Sequence, residues 1–438
     1  MIEKDVNVPS IKEANEAYKQ LGITRVVNAC FLSTILGGSS LPEEVFQSAA
    51  KANNEFAWLW EMEEEAGETI AEVTGAEAAH ITTGTYGGMV VSAAACMAGK
   101  DRQKMAKLPS DTADMKDEFV IQKCVRHQKY DRAIETAGGA YVPVGDDAGC
   151  TPDEIEKAIT DDTAAIQYRA PGPGSWPGPA YVKGEMDGYN GAKNAVPVED
   201  VIETAHRNDV PVIVDAAGQT YPVEGLERYV DMGADLVCYS GKYVTGPNSA
   251  GFVLGKEEFV EAAFHNNFIG DESYGFKEPE KVGYLPDDQF TEHNDPKYRL
   301  EDNKTYGIGR GYKLDRFEIV ATAEAVKYWM ELDHEKKRFE PARERGRYVM
   351  EELSSYSEIE TELHDHYYHN IPLIVTFEGK SNEYIDELKS GLLEADPMVY
   401  PRTIELTEDG EPQLNLNMLW LQPGEEEIVA DRLKTLLA

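Results

Sequence analysis

The sequence is poor in positive charge. Only 42 of its 438 residues are Lys or Arg, against 80 that are Asp or Glu, which gives a formal net charge of −38. An electrostatic field of this sign repels polyanions and offers no basic surface to a phosphate backbone. We therefore expect no nucleic-acid partner. The acidity fits a salty cytoplasm and ordinary solubility equally well.

The sequence also lacks the features of exported and membrane-bound proteins. Its five cysteines form no CxxC pair and are an odd set, which argues against a disulfide framework. No run of about 18 apolar residues is present. The charged N-terminal segment has no apolar stretch of the signal-peptide type. These observations predict a cytoplasmic protein with no membrane partner.

What the sequence does contain is the alternating pattern of an α/β protein. Seven short apolar runs are separated by helical or Gly/Pro-rich stretches, which predicts a layer with a mainly parallel, seven-stranded sheet. After it, strand and helix patterns alternate in a smaller C-terminal α+β domain. The runs lie near residues 79–82, 119–122, 140–143, 164–167, 211–215, 236–239 and 251–254.

The length predicts more than one domain. We expect an N-terminal helical arm over 1–55, a large domain over 56–312, and a long connecting helix with the small domain over 313–438. Long loops in compact domains are often functional. Three such segments interrupt the pattern of the large domain, at 100–118, 170–196 and 265–305.

Two strand ends carry the residues that point to chemistry. Residues 210–214 form an apolar strand that ends in Asp215, and 234–239 form a second strand that leads into Lys242. Because a short helical crossover separates them, both strands should end at one edge of the sheet, where open α/β folds bind ligands. Either residue alone has an ordinary explanation, a helix cap or a solvated lysine, so the inference depends on their order.

A carboxylate and an amine at one sheet edge are what pyridoxal 5′-phosphate (PLP) requires. The carboxylate lies against the ring nitrogen, and the lysine holds the aldehyde as a Schiff base and moves protons. We therefore predict PLP as the cofactor, Asp215 as the partner of its ring nitrogen, and Lys242 as the catalytic residue.

Small and hydroxyl residues near these strand ends suit a phosphate group. A strand at 76–81 leads into Thr83-Gly84-Thr85 and then into an apolar helix, so that backbone N–H groups and hydroxyls converge on an anion. Ser240, two residues before Lys242, offers another hydroxyl. We predict that these four residues bind the phosphate. The alternative for the first three is a tight turn with N-cap threonines.

Two further residues are predicted to contact the cofactor ring. His127 follows the strand near 119–122, and a flat side chain is needed over the pyridine face. Gln219, four residues beyond Asp215, is placed to reach the ring oxygen. An ordinary polar residue and a helix-start residue are their respective alternatives.

These motifs together resemble fold-type I PLP enzymes of the bacterial selenocysteine synthase-like group (L-seryl-tRNA selenium transferase), which also includes D-glucosaminate 6-phosphate ammonia lyase. The resemblance covers nearly the whole chain, and the three inserted segments depart from it. The segments that look most like the ammonia-lyase branch are Asn28-Ala29, Gly37-Gly38-Ser39, residues 72–77, Gly307-Ile308-Gly309-Arg310 and residues 421–426.

The resemblance implies a homodimer or higher homo-oligomer with active sites at the subunit interface. It also implies a reaction in which the Cα proton of an amino acid or amino sugar acid is lost, followed by α,β-elimination and release of ammonia. An aminotransferase, a racemase and a β-substituting transferase of the same fold stay open. Selenium transfer to a tRNA is disfavoured by the net charge of −38. A non-catalytic binding protein is disfavoured because Lys242 and Asp215 are both present.

A substrate carboxylate requires a forked cation, and three arginines are candidates: Arg310, Arg402 and Arg169. Each has an ordinary surface arginine as its alternative. The cluster His364-Asp365-His366 with His369 contains metal-ligand types. A polar loop explains the cluster as well, and we predict no metal site.

Overall fold

The structure is a computed structural model, and it describes residues 11–126, 128–170, 194–267, 307–364, 370–406 and 411–437. Within these ranges the chain divides into two compact units. The large unit comprises the described residues of 40–330, and the small unit comprises 11–39 with those of 331–437. Most of the inserted segments at 170–196 and 265–305 lies outside the described residues. The predicted boundaries at 55/56 and 312/313 stay predictions.

The strands of the described residues follow the apolar runs of the sequence closely. They are β1 (Val26–Ala29), β2 (Ala78–Thr82), β3 (Glu118–Gln122), β4 (Ala140–Val144), β5 (Thr163–Arg169), β6 (Val212–Asp215), β7 (Leu236–Ser240), β8 (Gly251–Gly255), β9 (Ile359–Leu363), β10 (Pro372–Phe377), β11 (Met398–Pro401), β12 (Thr403–Leu406) and β13 (Pro412–Asn417).

The helices of the described residues are mostly short, and none of them is long and apolar enough to cross a membrane. They are α1 (Ile11–Gln20), α2 (Glu43–Ala52), α3 (Leu59–Thr74), α4 (Gly84–Ala98), α5 (Arg102–Lys107), α6 (Gln128–Ala137), α7 (Pro152–Ala158), α8 (Val198–His206), α9 (Gly225–Asp231), α10 (Glu257–Asn266), α11 (Arg316–Glu331), α12 (Glu340–Leu353), α13 (Asn382–Leu393) and α14 (Glu425–Leu437).

The large unit is built on a seven-stranded sheet of order β2-β8-β7-β6-β5-β3-β4. Its pairs are parallel except those of β8, which runs antiparallel to both β2 and β7. β7 and β8 are buried along their whole length, as expected of strands covered on both faces. The prediction of a seven-stranded, mainly parallel sheet is confirmed.

Helix α4 lies against the centre of this sheet. Its sequence, GTYGGMVVSAAACMA, is apolar around the whole helix, and 11 of its 15 residues are buried. A Cβ on Gly88 would stand 3.1 Å from the side chains of Thr82 and Val253, so glycine allows the close approach of helix and sheet. This approach fixes where the helix begins relative to the strand ends.

The small unit contains an antiparallel sheet of order β12-β13-β10-β9 and a parallel pair of β1 with β11. The predicted α+β character is confirmed. The sequence pattern of the connecting helix predicts one long helix over roughly 314–353, and this prediction is wrong. Helix α11 ends at Glu331, and α12 begins at Glu340 after a π-helical turn over Glu335–Phe339. Pro341 lies in the first turn of α12, where its missing N–H is tolerated, whereas it would interrupt a continuous helix.

Candidate active site

The carboxyl ends of the parallel strands form one edge of the large sheet, which we call the catalytic edge. β6 and β7 are parallel and end there at Asp215 and Ser240. β8 runs the other way, so its first residue, Gly251, lies at the same edge as the Cα partner of both Ser240 and Thr82. The residues that follow β2, β6 and β7 are therefore brought to one edge.

A backbone hydrogen bond joins the two segments that carry the predicted acid and amine. The N–H of Ser240 donates to the carbonyl oxygen of Ala217 at 3.0 Å. Ala217 comes two residues after Asp215, and Lys242 comes two residues after Ser240. The two strand ends thus stay side by side beyond the sheet itself.

Lys242 lies in a tight 3₁₀ turn, Gly241–Val244. The N–H of Gly241 donates to the carbonyl oxygen of Ala250 at 2.8 Å, and a Cβ on Gly241 would stand 3.0 Å from that same oxygen. A side chain immediately before the lysine would therefore crowd the turn, which favours glycine there. Burial lowers the pKa of Lys242 to about 8, so that roughly a tenth of the amine is uncharged at pH 7, far more than for a solvated lysine. An uncharged amine is the form that attacks an aldehyde.

Asp215 ends β6 beside Arg169, its Cα partner on β5. Its Oδ1 accepts the N–H of Ala217 at 3.3 Å. Burial raises the pKa of Asp215 above its usual range, while the charge of Arg169 and the Ala217 N–H oppose that rise, and nearby Asp131 adds to it. The carboxylate is therefore desolvated and faces a positive charge, as a partner for a pyridinium nitrogen should be.

The start of α4 carries buried hydroxyls that lack partners. The Oγ1 atoms of Thr83 and Thr85 are both buried, and neither has a hydrogen-bond partner in the described part of the chain. Thr83 is the N-cap residue, yet its side chain makes no capping bond, and Gly84 adopts a left-handed φ of +61°. Leaving a buried polar group unpaired costs about 1–3 kcal/mol, which an anion bound at this positive helix end would relieve.

The residues predicted to bind the phosphate lie next to the turn that carries Lys242. A Cβ on Gly251 would stand 2.6 Å from the carbonyl carbon of Gly84, so the start of β8 touches the start of α4. Ser240, buried, lies opposite Gly251 on the other side. The amine, the carboxylate and the unpaired hydroxyls match the aldehyde, the ring nitrogen and the phosphate of PLP, and the residues present fit that cofactor.

Of the two residues predicted to contact the cofactor ring, the structure describes Gln219 but not His127. Gln219 is buried just after β6, and its N–H donates to the carbonyl oxygen of Ala216 at 2.9 Å. It therefore lies on the segment that leaves the catalytic edge. His127 lies outside the described residues.

The three candidate arginines occupy different environments. Arg169 is 8% exposed at the end of β5, beside Asp215. Arg310 is exposed in a turn of the large unit, where its N–H donates to the carbonyl oxygen of Gly307 at 3.1 Å. Arg402 belongs to the small unit, where its guanidinium lies 5.1 Å from the ring centroid of Phe31. Only Arg169 and Arg310 are therefore in the same unit as Lys242.

A charged pair near Asp215 was missed from the sequence. Asp131 on α6 is 2% exposed, and its Oδ2 lies 2.9 Å from Nε of Arg126. Its burial together with Ile134 and Ala137, three and six residues further on, places it on the core face of the helix. A charge on that apolar face was the signal in the sequence.

The histidine cluster of the small unit is only partly described. Nε2 of His364 lies 3.2 Å from a carboxylate oxygen of Glu362, and residues 365–369 lie outside the described ranges. Among the residues that are described, no group of three or more His, Cys, Asp or Glu side chains is arranged to hold a metal ion.

Known proteins resemble the chain over part of its length in sequence. No family model matches it. D-glucosaminate-6-phosphate ammonia lyase of Salmonella typhimurium is 33% identical over 251 residues, which cover 56% of this chain and 62% of that protein. 5'-C-glycyluridine monooxygenase-decarboxylase of a Streptomyces species is 34% identical over 252 residues, which cover 56% and 57%. The chain thus spans about three fifths of each relative. Both relatives are enzymes, in agreement with the prediction that this chain is one.

The fold matches over the full length. A solved structure of D-glucosaminate-6-phosphate ammonia-lyase superimposes with a TM-score of 0.73 at 24% identity and covers 98% of both chains. The predicted architecture, a seven-stranded sheet with a smaller C-terminal sheet, is the one that this structure shares. The chain therefore shares the fold of D-glucosaminate-6-phosphate ammonia lyase and is similar to it in sequence over part of its length.

Proposed function

We propose that this protein is a PLP-dependent lyase that removes the Cα proton of an amino acid or amino sugar acid and eliminates a β-substituent, with release of ammonia. The observation that carries the proposal is the backbone bond between Ser240 and Ala217, which keeps the strand ends of Lys242 and Asp215 together. The 33% identity to an ammonia lyase supports the reaction type.

The cofactor, when bound, supplies an electron sink for the negative charge that develops at Cα. Lys242 holds the cofactor and then acts as base and acid, because a pKa of about 8 lets its amine take up and release protons near neutral pH. Asp215 keeps the ring nitrogen protonated. The hydroxyl groups of Thr83 and Thr85 would donate hydrogen bonds to the phosphate.

Four other residues complete the proposed cofactor site. Gly251 contacts Gly84, which lies between the two threonines in sequence, and pairs with Ser240 on β7. We propose that Gly84 and Ser240 also bind the phosphate. His127 is proposed to stack on the ring, and Gln219 to contact its oxygen. For the substrate carboxylate we propose Arg310 and Arg402, whose forked guanidinium groups suit a carboxylate.

We further propose that the enzyme acts on a small molecule in the cytoplasm, as a homodimer or higher homo-oligomer with active sites at the subunit interface. Its five cysteines are free thiols, which suits a reducing compartment.

A second candidate is a different reaction at the same Cα carbon. The 34% identity to a monooxygenase-decarboxylase favours it, because that match is as extensive as the match to the ammonia lyase. Transamination and racemisation on the same cofactor are further forms of this candidate.

The test starts with the covalent link. The protein is incubated with PLP, its absorbance spectrum is recorded, and borohydride is used to fix the cofactor before peptide mapping. We expect the label on Lys242, its loss in Lys242→Ala, and its retention in Lys313→Ala, which removes an exposed lysine. Absence of a fixed label on Lys242 in the wild-type protein would contradict the proposal.

The reaction is then identified with β-hydroxy amino acids and amino sugar acids. Keto acid and ammonia in equal amounts select the lyase. Accumulation of pyridoxamine phosphate selects an aminotransferase, solvent deuterium at Cα without net conversion selects a racemase, and release of carbon dioxide selects a decarboxylating reaction.

A further inference from the structure

The end of β5 adjoins the carboxylate that the proposed cofactor would use. We infer that Arg169 is a positioning residue for Asp215, which keeps this carboxylate ionised and in place for the cofactor ring, rather than a residue that binds the substrate. The inference rests on the proposed PLP site and assigns to Arg169 a different role from the one that its sequence position suggested.

The strand register carries this inference. Arg169 and Asp215 are Cα partners in the parallel pair of β5 and β6, so their side chains leave the sheet on the same face. The N–H of Ala170 also donates to the carbonyl oxygen of Asp215 at 2.9 Å, which extends the pairing past the end of β5. The backbone of the sheet therefore holds Arg169 and Asp215 as neighbours on one face, where the positive charge of the arginine acts on the carboxyl.

The burial of Arg169 supports the same role. With 8% of its surface exposed, the residue offers little of its guanidinium group to a molecule that enters from solution. A buried cation next to a partly buried anion compensates the cost of desolvating both, whereas either one alone is costly.

The charges around Asp215 show why a cation is needed there. Asp131 is paired with Arg126 through a contact of 2.9 Å and acts to raise the pKa of Asp215 further. Burial raises the pKa of the Tyr141 phenol, and it raises the pKa of the Cys238 thiol to about 12, so both groups are neutral at neutral pH. Of the groups that act on Asp215, Arg169 is the one whose charge offsets the effect of burial.

The test compares Arg169→Gln, which removes the charge, with Arg169→Lys, which keeps it. We expect Arg169→Gln to bind PLP about tenfold more weakly, equivalent to about 1.4 kcal/mol, and to shift the pH dependence of the absorbance band of the bound cofactor. The lysine variant should recover most of both properties. The kcat should fall in Arg169→Gln, while KM changes by less than about twofold.

If Arg169 bound the substrate instead, the opposite result would be expected. Arg169→Gln would then keep the PLP affinity and the substrate-free spectrum of the wild type, and its KM would rise. That result would overturn the inference, as would equal behaviour of the Gln and Lys variants.

The cofactor-free protein provides a readout that does not depend on the proposed function. Arg169→Gln should lower the Tm because it leaves the partly buried carboxylate of Asp215 without its cation, and adding Asp215→Asn should restore part of the loss. Additive losses in the double variant would show that the two residues are not coupled and would refute the inference. Failure of wild-type protein to bind PLP, with coupling intact, would instead refute the proposed function.

Discussion

The hydroxyl oxygen of Thr83 lies against the main chain of Gly87, one turn further along α4. A Cβ on Gly87 would stand 2.3 Å from that oxygen and 4.0 Å from Cγ of Tyr312. Glycine at this position leaves the Thr83 hydroxyl in place, buried and unpartnered, at the N-terminal end of the helix. The glycines of the motif Thr-Gly-Thr-Tyr-Gly-Gly therefore shape the surroundings of the hydroxyls as well as the backbone.

This relationship gives the first prediction. Gly87→Ala should displace the Thr83 side chain and weaken PLP binding by roughly ten- to a hundredfold, since a hydrogen bond to a charged group contributes about 1.5–3 kcal/mol. Thr83→Val, which removes the hydroxyl with little change of shape, should have the same effect. Titration of the cofactor absorbance with PLP measures the affinity. Thr83→Ser is the matched control and should bind like the wild type, and an unchanged affinity in Thr83→Val would exclude this hydroxyl from the site.

The second prediction concerns the pH dependence of cofactor attachment. The amine reacts when uncharged, and burial lowers the pKa of Lys242 from 10.5 to about 8. The rate at which cofactor-free protein forms the covalent link should therefore rise with pH and level off above about pH 8. A stopped-flow absorbance series over pH gives the profile, and Lys313→Ala should reproduce it. A rate that continues to rise towards the range of a solvated lysine would show that the amine is not desolvated.

The third prediction concerns a buried carboxyl away from the site. Glu63 on α3 is 2% exposed, its Oε2 has no partner among the described residues, and burial raises its pKa from 4.5 to about 8. Between these two values the folded protein holds a proton that the unfolded chain has released. The free energy of unfolding should therefore fall as pH rises through this window and stay level above it.

Removing this carboxyl should reverse the trend. Glu63→Gln should be more stable than the wild type by up to a few kcal/mol near pH 8, and the difference should vanish towards about pH 4.5. Chemical denaturation of the cofactor-free protein at several pH values measures it. Glu65→Gln, at an exposed position of the same helix, should change little at any pH. A stability gain of Glu63→Gln that does not depend on pH would rule out this explanation.

The fourth prediction concerns the turn that carries Arg310. Gly309 pairs with Asn267, and a Cβ on it would stand 2.4 Å from the Cα of Asn267, a backbone atom that cannot rotate away. The Asn267 side chain is itself fixed, because its Nδ2 lies 2.7 Å from Nε2 of His80, and burial lowers the pKa of this histidine to about 3, so that its ring is neutral and accepts the hydrogen bond.

Gly309→Ala should therefore cost about 1–3 kcal/mol of stability and raise the KM for a carboxylate substrate as Arg310 moves. Thermal unfolding and steady-state kinetics measure the two effects. Gly311→Ala lies in the same motif, and its added Cβ meets nothing within 4 Å, so it should behave like the wild type. Similar behaviour of the two alanine variants would contradict the close approach.

Much of the fold was predictable because its signals are local. The seven runs of the large sheet are short, apolar and separated by turn residues, and each of them forms a strand within about two residues of the predicted position. Strands β9, β11 and β12 were missed. β9 alternates between partly buried and exposed residues, and β11 has only four residues, so neither forms a continuous apolar run. The break between α11 and α12 was missed although Pro341 marks it.

The sequence by itself determined which residue types end the strands: a carboxylate after one apolar run, an amine after the next, and threonines before an apolar helix. These features depend on the order of neighbouring residues, which the sequence contains in full. The tertiary structure alone decided that Arg169 lies beside Asp215, that Asp131 is buried near Asp215, and that Gly251 touches Gly84. Such contacts follow from the register between strands and from the packing of helix on sheet, where distant segments meet and no local pattern specifies the partner.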